Sequence, residues 1–146
     1  MTLAINGVRL DDPQRCYIIA EMSGNHNQDY AKAEALVHAA AESGADAIKA
    51  QTFTAEEICA DAPILFGHDA AHDAWCQRQG VTRLRELMAK GGLPRDWHKP
   101  LKVLADTLGI AFLSTPFSVD AAKFLVEDIG VGALKIASGD LTFTPL

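Results

Sequence analysis

The chain is poor in cysteine: it holds three, Cys16, Cys59 and Cys76, at irregular spacing and with no Cys-x-x-Cys. That set offers neither a disulfide framework nor a zinc knuckle, and a reducing cytoplasm is the expected location. Positive charge is also scarce, since 13 Lys and Arg stand against 19 Asp and Glu and leave a formal net charge of −6. This balance argues against broad contact with nucleic acid or an anionic membrane, both of which demand a positive face. No apolar run reaches the ~18 residues of a membrane span, and no basic segment followed by an apolar one opens the chain. Export and membrane embedding are therefore not expected. Nor does a Gly-x-Gly-x-x-Gly or Walker sequence follow any apolar run, which argues against a nucleotide-binding sheet.

What remains is a chain of 146 residues that is 49% hydrophobic, enough for one domain with a core of its own. Residues 16–23 (CYIIAEMS) form a short β-branched run ending in the polar cluster Gly24-Asn25-His26-Asn27, so a buried strand and a loop are predicted. From Asp29, the positions Ala33, Leu36, Val37, Ala40 and Ala41 recur at helical spacing, and Gly44 closes the pattern. A second strand is predicted over 46–53, an elaborated loop over 54–82, and helices over 83–90 and 94–108, with Pro94 near a first turn where its missing N–H costs nothing. A third strand over 110–117, a helix over 118–129 and a fourth strand over 133–140 complete the alternation.

Alternating strands and helices imply an α/β fold with a parallel sheet, either doubly wound or a barrel, and in both the chemistry collects at the carboxyl ends of the strands. The polar residues cluster there: Glu21 and Asn25, Lys49 and Gln51, Ser114 and Thr115, then Lys135, Ser138 and Asp140. Without a nucleotide motif a (βα) TIM-type barrel is the better expectation. Four strands are present where eight need ~250 residues, so the chain reads as an N-terminal half-barrel.

Lys49, between Ile48 and Ala50, is costly in an apolar strand unless it meets a partner or an anion. The plainer alternative is a lysine at a sheet edge reaching solvent along its stem. Period-two alternation puts Gln51 on its side, giving a cation and an amide suited to a phosphate or carboxylate, and Lys135 repeats the device between Leu134 and Ile136. Glu21 interrupts its strand in the same way and could handle protons, bind a metal or simply pair with a lysine. His68, Asp69, His72 and Asp73 have the spacing of a helical zinc site but lack the general-base Glu, and a solvated polar loop accounts for them. His38 and His98 are read as surface residues of helices, and Trp75 and Trp97 as packing groups.

AEMSGNHN (20–27), GADAIKAQTF (44–53), FLSTPFS (112–118) and LKIASGD (134–140) closely resemble, in order and spacing, the bacterial sialic acid synthases. The resemblance implies a (βα)8 barrel followed by an antifreeze-like domain, of which residues 1–146 form the N-terminal half of the barrel. It implies condensation of phosphoenolpyruvate with an N-acetylated hexosamine, and a homodimer for the complete enzyme. A divalent metal, Mn2+ or Mg2+, is implied too, with its two histidine ligands beyond Leu146. Carried over by position, Lys49, Gln51, Thr115, Lys135 and Ser138 bind phosphoenolpyruvate, and Asn25 and Glu21 lie beside metal and sugar. His26 falls in the first motif, close to substrate. Asp140 stands where the family has a Glu near the reacting carbons. Ser23 leans toward the pseudaminate and legionaminate branches and the Ser138-Gly139-Asp140 pattern toward the neuraminate branch, so the sugar stays open. So do a non-catalytic piece that needs a partner chain and another phosphoenolpyruvate-dependent barrel synthase.

Overall fold

The computed structural model of the chain describes residues 3–65, 67 and 69–146. Three parallel strands, β3 (Ile19–Glu21), β4 (Ala47–Thr52) and β5 (Ala111–Pro116), make a sheet in the order β3-β4-β5. Helix α1 (Tyr30–Glu42) connects the first pair, α5 (Arg95–Thr107) precedes β5, and α6 (Val119–Lys123) follows it. The class is α/β with parallel strands, as the alternating pattern predicts.

Local signals set the helix ends. Asp29 caps α1 by accepting from the Lys32 N–H, and Gly44 takes the left-handed φ of +77° that ends it. Ser118 caps α6 by accepting from the Ala121 N–H at 3.0 Å, after which the helix widens into a π-helical stretch over Phe124–Ile129.

Each face of the sheet has its own chemistry. On the helix side, Met22, Ile48, Ala50 and Phe112 pack with Ala33, Val37, Leu101 and Ala105 in the main core. On the other side, Ala47, Ala111 and Leu113 form a small apolar floor against Ile5, Tyr17 and Ala133. Ile5 comes from an antiparallel hairpin, β1 (Ala4–Ile5) with β2 (Val8–Arg9), turned by Asn6 and Gly7 at φ +49° and +77°. An Asn-Gly turn between short strands carries that hairpin, which the sequence reading above leaves out.

Two further expectations need correcting. Residues 54–82 are not a plain loop: α2 (Ala55–Ile58) and α3 (Ala70–Arg78) lie within them, α4 (Leu84–Met88) follows, and Ile64, Cys76 and Val81 make a core beneath, packed by Trp75, Leu84 and Leu87. Helices this short show no period, and their caps declare them instead. Thr54 and Glu57 form a capping box, and Asp69 accepts from Ala71 and His72. The fourth strand contracts to one parallel bridge, Ser114 to Leu134, and Ser138–Asp140 is a 3-10 turn. After the Leu134 bridge the backbone folds into a turn, the Asp140 N–H donating to the Ala137 carbonyl at 2.9 Å, so the ladder along β5 is not continued.

Candidate functional site

Register decides which side chains meet. In the parallel pairing Glu21 lies opposite Lys49, Lys49 opposite Leu113, and Gln51 opposite Thr115. Since side chains alternate, all of these share the face whose lower end is the apolar floor. Floor and site are successive layers of one surface: Ala47 and Ala111 at the amino ends of the strands, then Glu21, Lys49 and Leu113, then Gln51 and Thr115 toward the carboxyl ends. The Ser114 to Leu134 bridge, with the Lys135 N–H donating to the Ser114 carbonyl at 3.1 Å, puts Lys135 at a position of the same phase as Thr115.

Lys49 is largely buried and its Nζ pairs with Glu21 Oε2, while Glu21 Oε1 accepts from the Ser23 N–H at 3.1 Å. The carboxylate is 44% exposed against 12% for the lysine, so water screens the pair from the Glu21 side and an incoming anion can compete for the ammonium. Thr115 Oγ1 and Asp140 Oδ2 are buried without a hydrogen-bond partner. Unmet polar atoms of this kind are costly inside a fold and can be met by a bound ligand. Lys135 and Ser138 are exposed.

Asn25 is not gathered into this set. It is exposed and lines a groove along α1 with Lys32, Leu36 and Ala39. His26 is fully buried, so contact with a substrate is corrected to a structural role. Its Nδ1 accepts from the Gln28 N–H at 3.1 Å, its edge meets Trp97, and burial lowers its pKa. Gln28 in turn donates to the carbonyls of Lys90 and Gly92, clasping the loop before α5. Beside Gln51 opens a cleft of about 360 Å³, lined by Ser23, Asn27, His72, Trp75 and Lys90 among others.

His98, read as a surface residue, is completely buried. Its Nδ1 meets the Pro94 carbonyl at 3.0 Å and its Nε2 meets Thr52 Oγ1 at 2.7 Å, which reaches Ser114 Oγ at 2.6 Å. Burial, only partly offset by the Pro94 hydrogen bond, lowers its pKa to about 4, so the ring is neutral at neutral pH. Its missed signal is the spacing of His98, Leu101 and Ala105 along α5, which places all three on the buried stripe. His38 is exposed as read, and Trp97 packs against the main core.

The His72 and Asp73 pair of the zinc-like spacing lies on α3, and His68 falls outside the described residues. Among the described residues no three His, Cys, Asp or Glu side chains come together to hold a metal ion. No helix among the described residues is long and apolar enough to cross a membrane.

Comparison with known proteins now bears on this geometry. The chain is 37% identical over 145 residues to the N,N'-diacetyllegionaminic acid synthase of Legionella pneumophila, covering 97% of this chain and 38% of that protein. It is 37% identical over 128 residues to the pseudaminic acid synthase of Helicobacter pylori, covering 85% of this chain and 35% of that protein. Its fold matches the N-acetylneuraminic acid synthetase of Leptospira borgpetersenii, crystallised with citrate, at a TM-score of 0.75 and 26% identity over 99% of this chain and 44% of that one. It also matches the spore coat polysaccharide biosynthesis protein spsE of Bacillus subtilis at a TM-score of 0.70 and 28% identity, over 100% of this chain and 36% of that one. The chain thus spans well under half the length of the relatives it matches. With the NeuB family signature matched over residues 36–146, the chain belongs to the NeuB family.

Proposed function

We propose that this chain provides the phosphoenolpyruvate-binding wall of a nonulosonate synthase. In the reaction, phosphoenolpyruvate condenses with an N-acetylated hexosamine, N-acetylmannosamine or a related modified sugar, and water to give a sialic-acid-type product and phosphate. The observation that carries this reading is the single surface bearing Lys49, Gln51 and Thr115 at successive strand ends, with Thr115 Oγ1 buried and unmet.

A three-carbon ligand bearing both phosphate and carboxylate needs two cations and several neutral donors. Lys49 and Lys135 supply the charge, and Gln51, Thr115 and Ser138 the donors. The enol carbon C3 attacks the sugar aldehyde, and positive charge develops at C2. Water adds at C2, and the C–O bond to phosphate breaks. Glu21 and Asp140 are the carboxylates assigned to stabilise that charge in this reading. Asp140, one methylene shorter than the family Glu, has one buried oxygen free for it. The cleft beside Gln51, with Trp75 and His72 on its wall, is the space for the sugar. The metal, the antifreeze-like domain and the homodimer belong to the complete enzyme in this reading, and its proposed location is the cytoplasm.

The test is inorganic phosphate release from phosphoenolpyruvate. Release that requires N-acetylmannosamine or a related N-acetylated hexosamine supports the assignment. Release with simple aldoses in place of N-acetylated sugars contradicts it and favours another phosphoenolpyruvate-dependent barrel synthase.

A further inference from the structure

On the helix side of the sheet, behind the proposed ligand surface, three polar side chains are sealed from water in an otherwise apolar layer: Thr52, His98 and Ser114. Their hydrogen bonds run in one direction. The Pro94 carbonyl can only accept, so His98 Nδ1 carries the proton and donates to it. His98 Nε2 is then an acceptor and takes the Thr52 hydroxyl proton. Thr52 has spent its donor, so the Ser114 hydroxyl donates to Thr52 Oγ1. Every donor in the chain is used once.

The placement of this chain is informative. Thr52 follows Gln51, and Ser114 precedes Thr115; Thr52 itself lies opposite Pro116, and Ser114 opposite Ala50. The Thr52 to Ser114 bond is therefore a diagonal across β4 and β5 that straddles the Gln51 and Thr115 pair from the opposite face. Apolar contacts are non-directional and leave small sliding motions cheap, whereas a diagonal hydrogen bond tied through His98 to the start of α5 resists them. The Ser114 carbonyl also accepts from the Lys135 N–H, so the same residue locates a third member of the surface.

We infer that His98 is a positioning residue for the phosphoenolpyruvate site, holding Gln51, Thr115 and Lys135 in register from the far side of the sheet through Thr52 and Ser114. This rests on the function proposed above. A displacement of about 1 Å from a distant substitution can cost an enzymatic reaction about 100-fold, so a residue that never touches the ligand can still set the geometry that meets it.

The test compares His98→Phe, which keeps an aromatic against Phe112 and Phe124 but cannot accept from Thr52, with His98→Gln, whose amide oxygen can. The dissociation constant for phosphoenolpyruvate is expected to rise about 10-fold in the folded Phe variant and to return within about 3-fold of wild type in the Gln variant. The Gln51 side-chain amide and Thr115 methyl resonances are expected to move in the first and recover in the second. Wild-type affinity with unmoved resonances in folded His98→Phe overturns the inference. If His98→Phe does not fold, Ser114→Ala leaves the His98 to Thr52 bond in place and is expected to show the same two changes, and their absence overturns the inference. The resonances report on the positioning even where phosphoenolpyruvate fails to bind the wild type, an outcome that defeats the proposed function instead.

Discussion

Lys49 shows how one residue carries both a cost and a use. An ammonium that is 12% exposed must keep a partner, and Glu21 is that partner in the structure. Lys49→Ala is expected to weaken phosphoenolpyruvate binding about 10- to 100-fold, the worth of a charge-assisted contact, and to leave affinity for the sugar within about 2-fold. Equal losses on both substrates, measured by steady-state kinetics, would remove Lys49 from its assigned role. The lysine was legible because a cation in an apolar strand is improbable without a reason. His98 was not, since one histidine in a helix weighs little until it is counted on the same stripe as Leu101 and Ala105. Its burial has a pH signature. Its pKa is about 4 in the fold against an ordinary 6.5, so the unfolded chain takes up the proton first as pH falls. Stability is therefore full above about pH 6.5 and declines toward pH 4, by ~3 kcal/mol from this residue. His26, lowered in the same sense by burial, adds to the decline. Urea unfolding at pH 7 and pH 4.5 should show a smaller drop for His98→Gln than for wild type; parallel drops would contradict the assignment.

At the scale of elements, the long helices and two six-residue strands were readable because each has enough turns or alternations for its period to show. α4 was read as the helix over 83–90, but α2 and α3 before it are too short for a clear period, and their order comes from caps and close backbone contacts. Gly92 is the clearest of these: a Cβ there would lie 2.6 Å from the Phe53 carbonyl oxygen, a backbone atom with little room to yield. Leu93 beside it donates to the Gln51 carbonyl at 3.1 Å, so the loop is bonded to the residue at the centre of the site. Gly92→Ala is expected to cost about 1–3 kcal/mol through this overpacking and to lower the melting temperature accordingly. A variant that melts with the wild type would show that the loop can move away freely. The fourth strand was overread for the opposite reason: its residues suit a strand, but one neighbouring strand holds only Leu134 in a bridge.

Across the whole molecule, the sheet separates the main core from the face that carries the candidate site residues. One face is packed by helices. The other is apolar where the β1–β2 hairpin plugs it, and charged and amide-bearing toward the strand ends. In a chain of net charge −6, Lys49 on that surface is a local positive charge, and under the proposed function it is expected to draw a small anionic ligand. This division was legible in outline from four strand-end motifs, whereas the hairpin that closes the lower layer, signalled only by a single Asn-Gly pair, was not read. The most direct test of the central claim is calorimetric titration of the chain with phosphoenolpyruvate, in parallel with Thr115→Val. The Val variant keeps the shape of the side chain and removes the hydroxyl that has no partner of its own. The account predicts saturable 1:1 binding to the wild type and about 10-fold weaker binding to Thr115→Val. Equal affinity in the two proteins, or no heat from a folded wild type, would contradict it.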